Sequence, residues 1–219
     1  MIKIKNLSKF FWKNAEKVEI FRDLNLEIKE GSFISIVWPS WSWKSTFLNM
    51  MSWIDTDFIW NLEVFSFDYK TKNENEITTF RWKNISYIFQ NFKLIDNLTV
   101  RENIDLVIEL NNLERNFSTI EILKLVWLET KADNYVFNLS WWESQRVAIA
   151  RAFVWKTKLL LADEPTGSLD TKNKKIIMDL ISSLHKKTKN TIVMITHDDE
   201  VAKISDIVYK MNDFNLIKS

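Results

Sequence analysis

Short runs that carry few polar residues alternate with longer stretches whose apolar positions recur at helical spacing. The runs FISIV at 33–37, LLLA at 159–162 and TIVMI at 191–195 read as strands covered on both faces of a largely parallel sheet. The pattern predicts strands over 2–4, 18–21, 24–28, 33–37, 62–67, 85–89, 158–162, 191–196 and 206–210, and helices over 44–51, 143–154 and 171–186. From about 98 to 138 it changes to a leucine- and isoleucine-rich helical pattern without strands. This predicts an α/β domain with a helical subdomain inserted into its core. No internal repeat, low-complexity tract or Pro/Gly linker divides the 219 residues.

Composition adds limits. A hydrophobic content of 46% and a charged content of 27% are those of an ordinary globular protein. The net charge of +1 gives no general pull towards nucleic acid, and no nucleic-acid partner is expected. There is no cysteine, which excludes disulfides and thiolate metal or redox sites. The opening MIKIKNLSKFF lacks the apolar run of a signal peptide, and no stretch is long and apolar enough for a membrane span. A cytoplasmic protein is expected, peripheral on the membrane only through a partner.

Three segments carry chemistry. The run LLLADEPT at 159–166 ends a buried strand in two adjacent carboxylates, at the sheet edge where α/β proteins bind ligands. Asp163 is suited to holding Mg²⁺ and Glu164 to orienting and deprotonating water, although a lone Asp-Glu pair is also common without function. The segment 33–46, FISIVWPSWSWKST, has the strand, the Lys44-Ser45-Thr46 tail and the helix start of a phosphate-binding loop. Trp38 and Trp43 stand where that loop requires glycine, so by itself the tail reads better as a plain helix opening. The run LSWWESQR at 139–146 opens a helix with Ser140 placed as N-cap.

Together these segments resemble the ABC ATPases. LSWWESQRVAIARA is similar to their signature LSGGxxQRVAIARA, and it lies just before LLLADEPTGSLD, as in that family. The resemblance covers nearly the whole chain, from Ile2 to about Met211. It implies a P-loop (RecA-like) core with an N-terminal antiparallel β region and an inserted helical subdomain. The single ATPase domain would span 1–219, with its core at about 1–95 and 155–219 and the helical and signature subdomain at about 96–154.

It also implies roles. Lys44 would contact the β- and γ-phosphates, with Trp38, Pro39, Ser40, Trp41, Ser42, Trp43, Ser45 and Thr46 around them and Phe11 stacked on adenine. Ser45, Gln90 and Asp163 would hold Mg²⁺. Glu164, His197 and Lys44 would be catalytic. Ser140, Trp141, Trp142, Glu143 and Gln145 would face ATP on a second copy across a head-to-tail homodimer, with Ser168 and Asp170 in the D-loop at that interface. ADEPTGSLD and FQNFKLIDNLTVRENI resemble the subgroup serving lipoprotein release, macrolide-type efflux and cell division, so a separate integral membrane permease is the implied partner. It would dock near 90–97 and the helix from Val100. Soluble relatives acting on DNA or ribosomes carry paired ATPase halves or long coiled coils, which this chain lacks.

One count is abnormal. Only Gly31 and Gly167 are glycine, while tryptophan occurs 11 times; the two together are 13 of 219 residues, about 6%, an ordinary glycine content. The tryptophans at 12, 38, 41, 43, 53, 60, 82, 127, 141, 142 and 155 all fall where the family has or accepts glycine. Indoles in a phosphate loop resist positive φ and fill space the phosphates need. Either these codons, UGA in an AT-rich genome, are read as glycine in the source, or the chain is a degenerate scaffold that binds no nucleotide.

Overall fold

The computed structural model describes residues 1–13, 16–38, 44–57, 59–167, 169–212 and 214–219, with positions 13 and 59–61 given as backbone. Among these, two sheets form. An antiparallel sheet has the order β2-β1-β4-β5, from β1 (Ile2–Lys13), β2 (Glu16–Ile28), β4 (Ile59–Val64) and β5 (Phe67–Asp68). The larger sheet has the order β10-β9-β3-β8-β7-β6, from β3 (Phe33–Val37), β6 (Ile85–Ile88), β7 (Leu159–Asp163), β8 (Thr191–Thr196), β9 (Ile207–Asn212) and β10 (Asn215–Lys218). Its strands run parallel except for β10 at one edge.

The apolar strands are buried on both faces, as their sequences require. Leu160, Ile192 and Met194 point into a core shared with the helices, while Leu159, Leu161, Val193 and Ile195 point into a second core beneath the antiparallel sheet. The first core takes in α3 (Val100–Asn111), α4 (Thr119–Leu125), α5 (Trp141–Phe153) and α6 (Thr171–Thr188); the second takes in α1 (Lys44–Met51). The strand-free interval from 98 to 138 is helical as expected, and Thr99, Ser118 and Ser140 each start a helix through a capping box with the glutamate three residues on.

Three elements escape the periodicity. The helix α2 (Glu74–Asn84) buries no residue and so shows no apolar stripe, although Asn73 and Glu76 form a capping box at its start. The four-residue α7 (Asp199–Ala202) and the half-exposed edge strand β10 are too short to impose a pattern. The first hairpin is longer than the predicted 2–4, 18–21 and 24–28, because β1 and β2 alternate buried with exposed residues and slip register at Leu7 and Lys9.

Candidate functional site

The site forms at the carboxyl end of the parallel sheet, where β3 and β7 finish on either side of β8. Lys44 and Ser45 open α1, so their side chains start one loop beyond β3. Asp163 closes β7, and Glu164 follows with φ of 44°. A non-glycine residue held there stores roughly 1–3 kcal/mol of strain, the kind of conformation found at functional sites. The Glu164 N–H donates to the Ile195 carbonyl at 2.9 Å, pinning the turn to β8.

Five of the expected residues meet. The buried Lys44 ammonium forms an ion pair with Glu164 Oε1, and Ser45 Oγ donates to Asp163 Oδ2 at 2.7 Å. His197 follows β8 and sets Nδ1 3.2 Å from Glu164 Oε2. Burial pushes the Asp163 carboxyl above its ordinary range, with the Glu164 charge adding to the rise while the Ser45 hydroxyl and Lys44 pull it back. Next to His197, Asp198 is held below the usual range, first because Lys174 donates to it at 2.7 Å. Gly167 sits hard against this cluster: a Cβ there would lie 2.9 Å from Glu164 Oε2.

The remaining expected residues are spread around this centre. Gln90 is exposed two residues past Ile88, which pairs with Ala162, so it stands at the same sheet edge. The loop behind it is fastened to α5: the Arg151 guanidinium, whose pKa burial lowers to about 10, donates to the carbonyls of Phe92 and Lys93 at 2.5 and 2.6 Å. Both of those residues have positive φ. Neither Arg151 nor the strained pair was singled out from the sequence. Phe11 is half-buried near the end of β1. Thr46 is half-buried on α1.

The Trp38 side chain is buried: its indole packs edge-on against Phe21 at 5.6 Å, while its backbone N–H donates to the Thr196 carbonyl at 2.9 Å. Pro39, Ser40, Trp41, Ser42, Trp43 and Ser168 lie outside the described residues. Asp170 caps α6, accepting from the Asn173 N–H at 2.9 Å.

The start of α5 divides in two. Ser140 and Trp141 are exposed, and Glu143 closes the capping box, its carboxyl held low chiefly by the Ser140 N–H. Trp142 is partly buried beneath the Arg146 guanidinium. Gln145 departs from expectation. It is buried, and its amide donates to the Pro165 carbonyl of its own chain at 2.7 Å. A side chain committed there cannot also reach a second copy, so the role across an interface does not fit Gln145.

The oxygen donors Ser45 and Asp163, a hydroxyl and a carboxylate in contact, suit a hard divalent cation such as Mg²⁺.

Comparison with known proteins bears on the family and the fold. A family model described as ABC transporter matches residues 21–167. The ABC transporter ATP-binding protein MJ0796 of Methanocaldococcus jannaschii is 36% identical over 97% of this chain and 94% of its own length. The macrolide export ATP-binding/permease protein MacB of Campylobacter fetus subsp. fetus is 34% identical over 99% of this chain, which spans 34% of that longer protein. The solved dimeric structure of the MJ0796 cassette in a post-hydrolysis state, bound to ADP and Pi, superposes with a TM-score of 0.86 at 33% identity, covering 100% of this chain and 98% of that one. The α/β fold with its antiparallel sheet is that of a P-loop cassette, and no helix among the described residues is long and apolar enough to cross a membrane. The chain belongs to the ABC transporter family, as its ATP-binding and ATP-hydrolysing subunit.

Proposed function

We propose that the Lys44–Glu164–His197 cluster, with Ser45 and Asp163 beside it, is the hydrolytic centre, and that the chain works as a head-to-tail homodimer beneath a separate integral membrane permease. The carrying observation is the convergence of an ammonium, two carboxylates, a hydroxyl and an imidazole at one sheet edge. Bound ATP draws Lys44 from Glu164 onto its phosphates. Glu164 is then released to accept a proton from the attacking water, and His197 steadies the γ-phosphate. Ser45, Asp163 and Gln90 would hold Mg²⁺, which would supply positive charge against the phosphates. The exposed Ser140 end of α5 faces the ATP of the second copy; the related MJ0796 cassette was solved as a dimer bound to ADP and Pi. The residues at about 96–154 move as one helical subdomain on the core, and Arg151 carries that motion to the loop after Gln90, where the permease docks on the cytoplasmic face. The relationship to MacB favours an export or lipoprotein-release role.

We further infer that the native chain holds glycine at the eleven tryptophan positions. Trp53 and Trp127 have φ of 54° and 56°. Each is the residue just past a helix cap: Trp53 N–H donates to Met50 O and Ile54 N–H to Asn49 O, as Trp127 does to Lys124 and Leu128 to Leu123. This is the hydrogen-bond pattern of a helix end that favours glycine. The buried Trp53 indole N–H finds no partner among the described residues, which costs about 1–3 kcal/mol. Gly31, at φ 76°, already occupies a left-handed turn of its own. At Trp82, in the last turn of α2, the backbone gives no such reason. A degenerate scaffold is disfavoured, since Lys44, Ser45, Asp163, Glu164 and His197 are all intact and in contact.

The test is phosphate release from the glycine-bearing chain and its Glu164→Gln variant. The variant should keep ATP binding, trap a dimer visible by light scattering, and lose turnover by about 10²–10⁴-fold. Undiminished hydrolysis removes Glu164 from the role of base.

A further inference from the structure

The His197 side chain is 39% exposed, so where its imidazole points depends on the turn that carries it. That turn is held on both flanks. Before it, the buried Thr196 ends β8, and its Oγ1 accepts the Asp198 N–H at 3.1 Å. After it, Asp198 Oδ1 accepts the N–H groups of Glu200 and Val201 at 3.0 and 3.4 Å, which caps the four-residue α7. The other carboxylate oxygen is taken by a residue from outside the turn. Lys174, 24 positions earlier, donates its ammonium to Asp198 Oδ2 at 2.7 Å. The two side chains are 25% and 23% exposed, so salt and water screen this pair less than one on the open surface. Lys174 stands on a firmly held element. It lies in the first turn of α6, its N–H donating to the Asp170 carbonyl at 2.8 Å, and α6 buries Ile177, Met178, Leu180, Ile181 and Leu184. The short α7 buries two residues, Val201 and Ala202. A cleft of about 470 Å³ opens between α6 and α7 with both Lys174 and Asp198 in its lining. The ion pair therefore joins the two helices where side-chain packing is incomplete.

We propose that Lys174 is a positioning residue for His197: by tying Asp198 to α6, it fixes the turn on which the imidazole meets Glu164. The inference rests on the role proposed above for His197. Without the ammonium, Asp198 keeps its hydrogen bonds within the turn, but the turn loses its tie to the rigid α6. The imidazole, whose Nδ1 stands 3.2 Å from Glu164 Oε2, then moves with the turn. Such a displacement matters because base, water and γ-phosphate must be aligned at the same moment. Lys174 acts through Asp198 and not on the nucleotide, so its loss falls on turnover rather than on affinity.

The test measures phosphate release against ATP concentration on the full chain bearing glycine at the eleven tryptophan positions. Lys174→Met should lower kcat roughly tenfold and leave KM for ATP unchanged. Lys174→Arg, which still donates to Asp198, should recover most of the loss. Asp198→Asn keeps an acceptor for the α7 N–H groups while removing the charge, and should lower kcat by a similar factor. In a His197→Ala chain, Lys174→Met should add nothing, because the two act in series. An unchanged kcat in Lys174→Met, or the same fall with and without His197, overturns the inference and leaves the role of His197 intact. If His197→Ala itself leaves kcat unchanged, the role of His197 is wrong and the inference falls with it. Should His197→Ala lose all measurable turnover, its imidazole resonance decides. The chain has two histidines, and His185, packed edge-on against Phe33, is the internal control. The His197 signal should move in Lys174→Met and return in Lys174→Arg while that of His185 stays; a His197 signal that stays in Lys174→Met overturns the inference. If Lys174→Met does not fold, Asp198→Asn takes its place, and an unchanged kcat there overturns the inference equally.

Discussion

Two helices open at tryptophan-bearing segments, and they end in opposite surroundings. At the start of α1, Lys44 is buried against Glu164 and Ser45 meets Asp163, both carboxylates coming from the end of β7 in the same chain. At the start of α5, Ser140 and Trp141 are exposed and the helix is closed by its own Glu143. The first end is matched within one chain. The second satisfies its own backbone and then faces outwards. Under the proposed function, the difference divides the work of one cassette: the buried end would hold nucleotide, and the exposed end would act only when a second copy brings ATP to it.

The largest effect should come from separating the two ends. Glycine restored at 38, 41 and 43 alone should recover ATP binding by at least about 10²-fold, since indoles crowd a loop whose backbone must wrap the phosphates. Hydrolysis should stay absent until 141 and 142 are also glycine, when the exposed end can approach the other copy. Equilibrium binding and phosphate release on the two partial restorations make the check. If 141 and 142 alone restore ATP binding, the assignment of the two ends is reversed.

A smaller effect sharpens the case for glycine position by position. Trp127 is 58% exposed and buries little, so Trp127→Gly chiefly relieves its left-handed backbone. Relief of about 1–2 kcal/mol should raise the melting temperature by roughly 2–8 °C for a chain of this size. Trp82→Gly, within α2 and without positive φ, should instead lose about 0.5 kcal/mol of helix propensity. Equal shifts at both positions, read by thermal melting, would show that backbone geometry does not distinguish them.

What could be read beforehand follows from which contacts are local. FISIV, LLLA and TIVMI carry both-face burial in their own composition, so β3, β7 and β8 were legible, as were the helices that start at Lys44 and Thr171. The helix α2 was hidden because it has no fully buried residue and only Ile77 and Phe80 lean on the core, although Asn73 and Glu76 spelled its cap. Lys44, Asp163, Glu164 and His197 could be named from motifs, but the Lys44–Glu164 pair spans 120 positions and only the fold creates it. Arg151 under the strained Phe92–Lys93 turn, and Gln145 turned inwards to Pro165, depend in the same way on how α5 lies against its neighbours.

The smallest effect concerns Asp163. Its carboxyl is raised, chiefly by burial, so the folded state favours the protonated form. The stability this contributes is present below the ordinary aspartate value and is lost as pH rises through the folded one. Asp163→Asn should therefore melt higher than the parent at neutral pH, by about 2–4 °C for each kcal/mol relieved, and the gain should vanish in acid. A gain that persists unchanged into acid would detach it from the ionisation of Asp163.

The central claim is that this chain is a working ATPase whose native loops carry glycine. Mass spectrometry of the protein purified from its source, on peptides spanning 33–46 and 138–146, tests it most directly. The account predicts glycine at 38, 41, 43, 141 and 142; tryptophan in those peptides would contradict it and return the degenerate scaffold to favour.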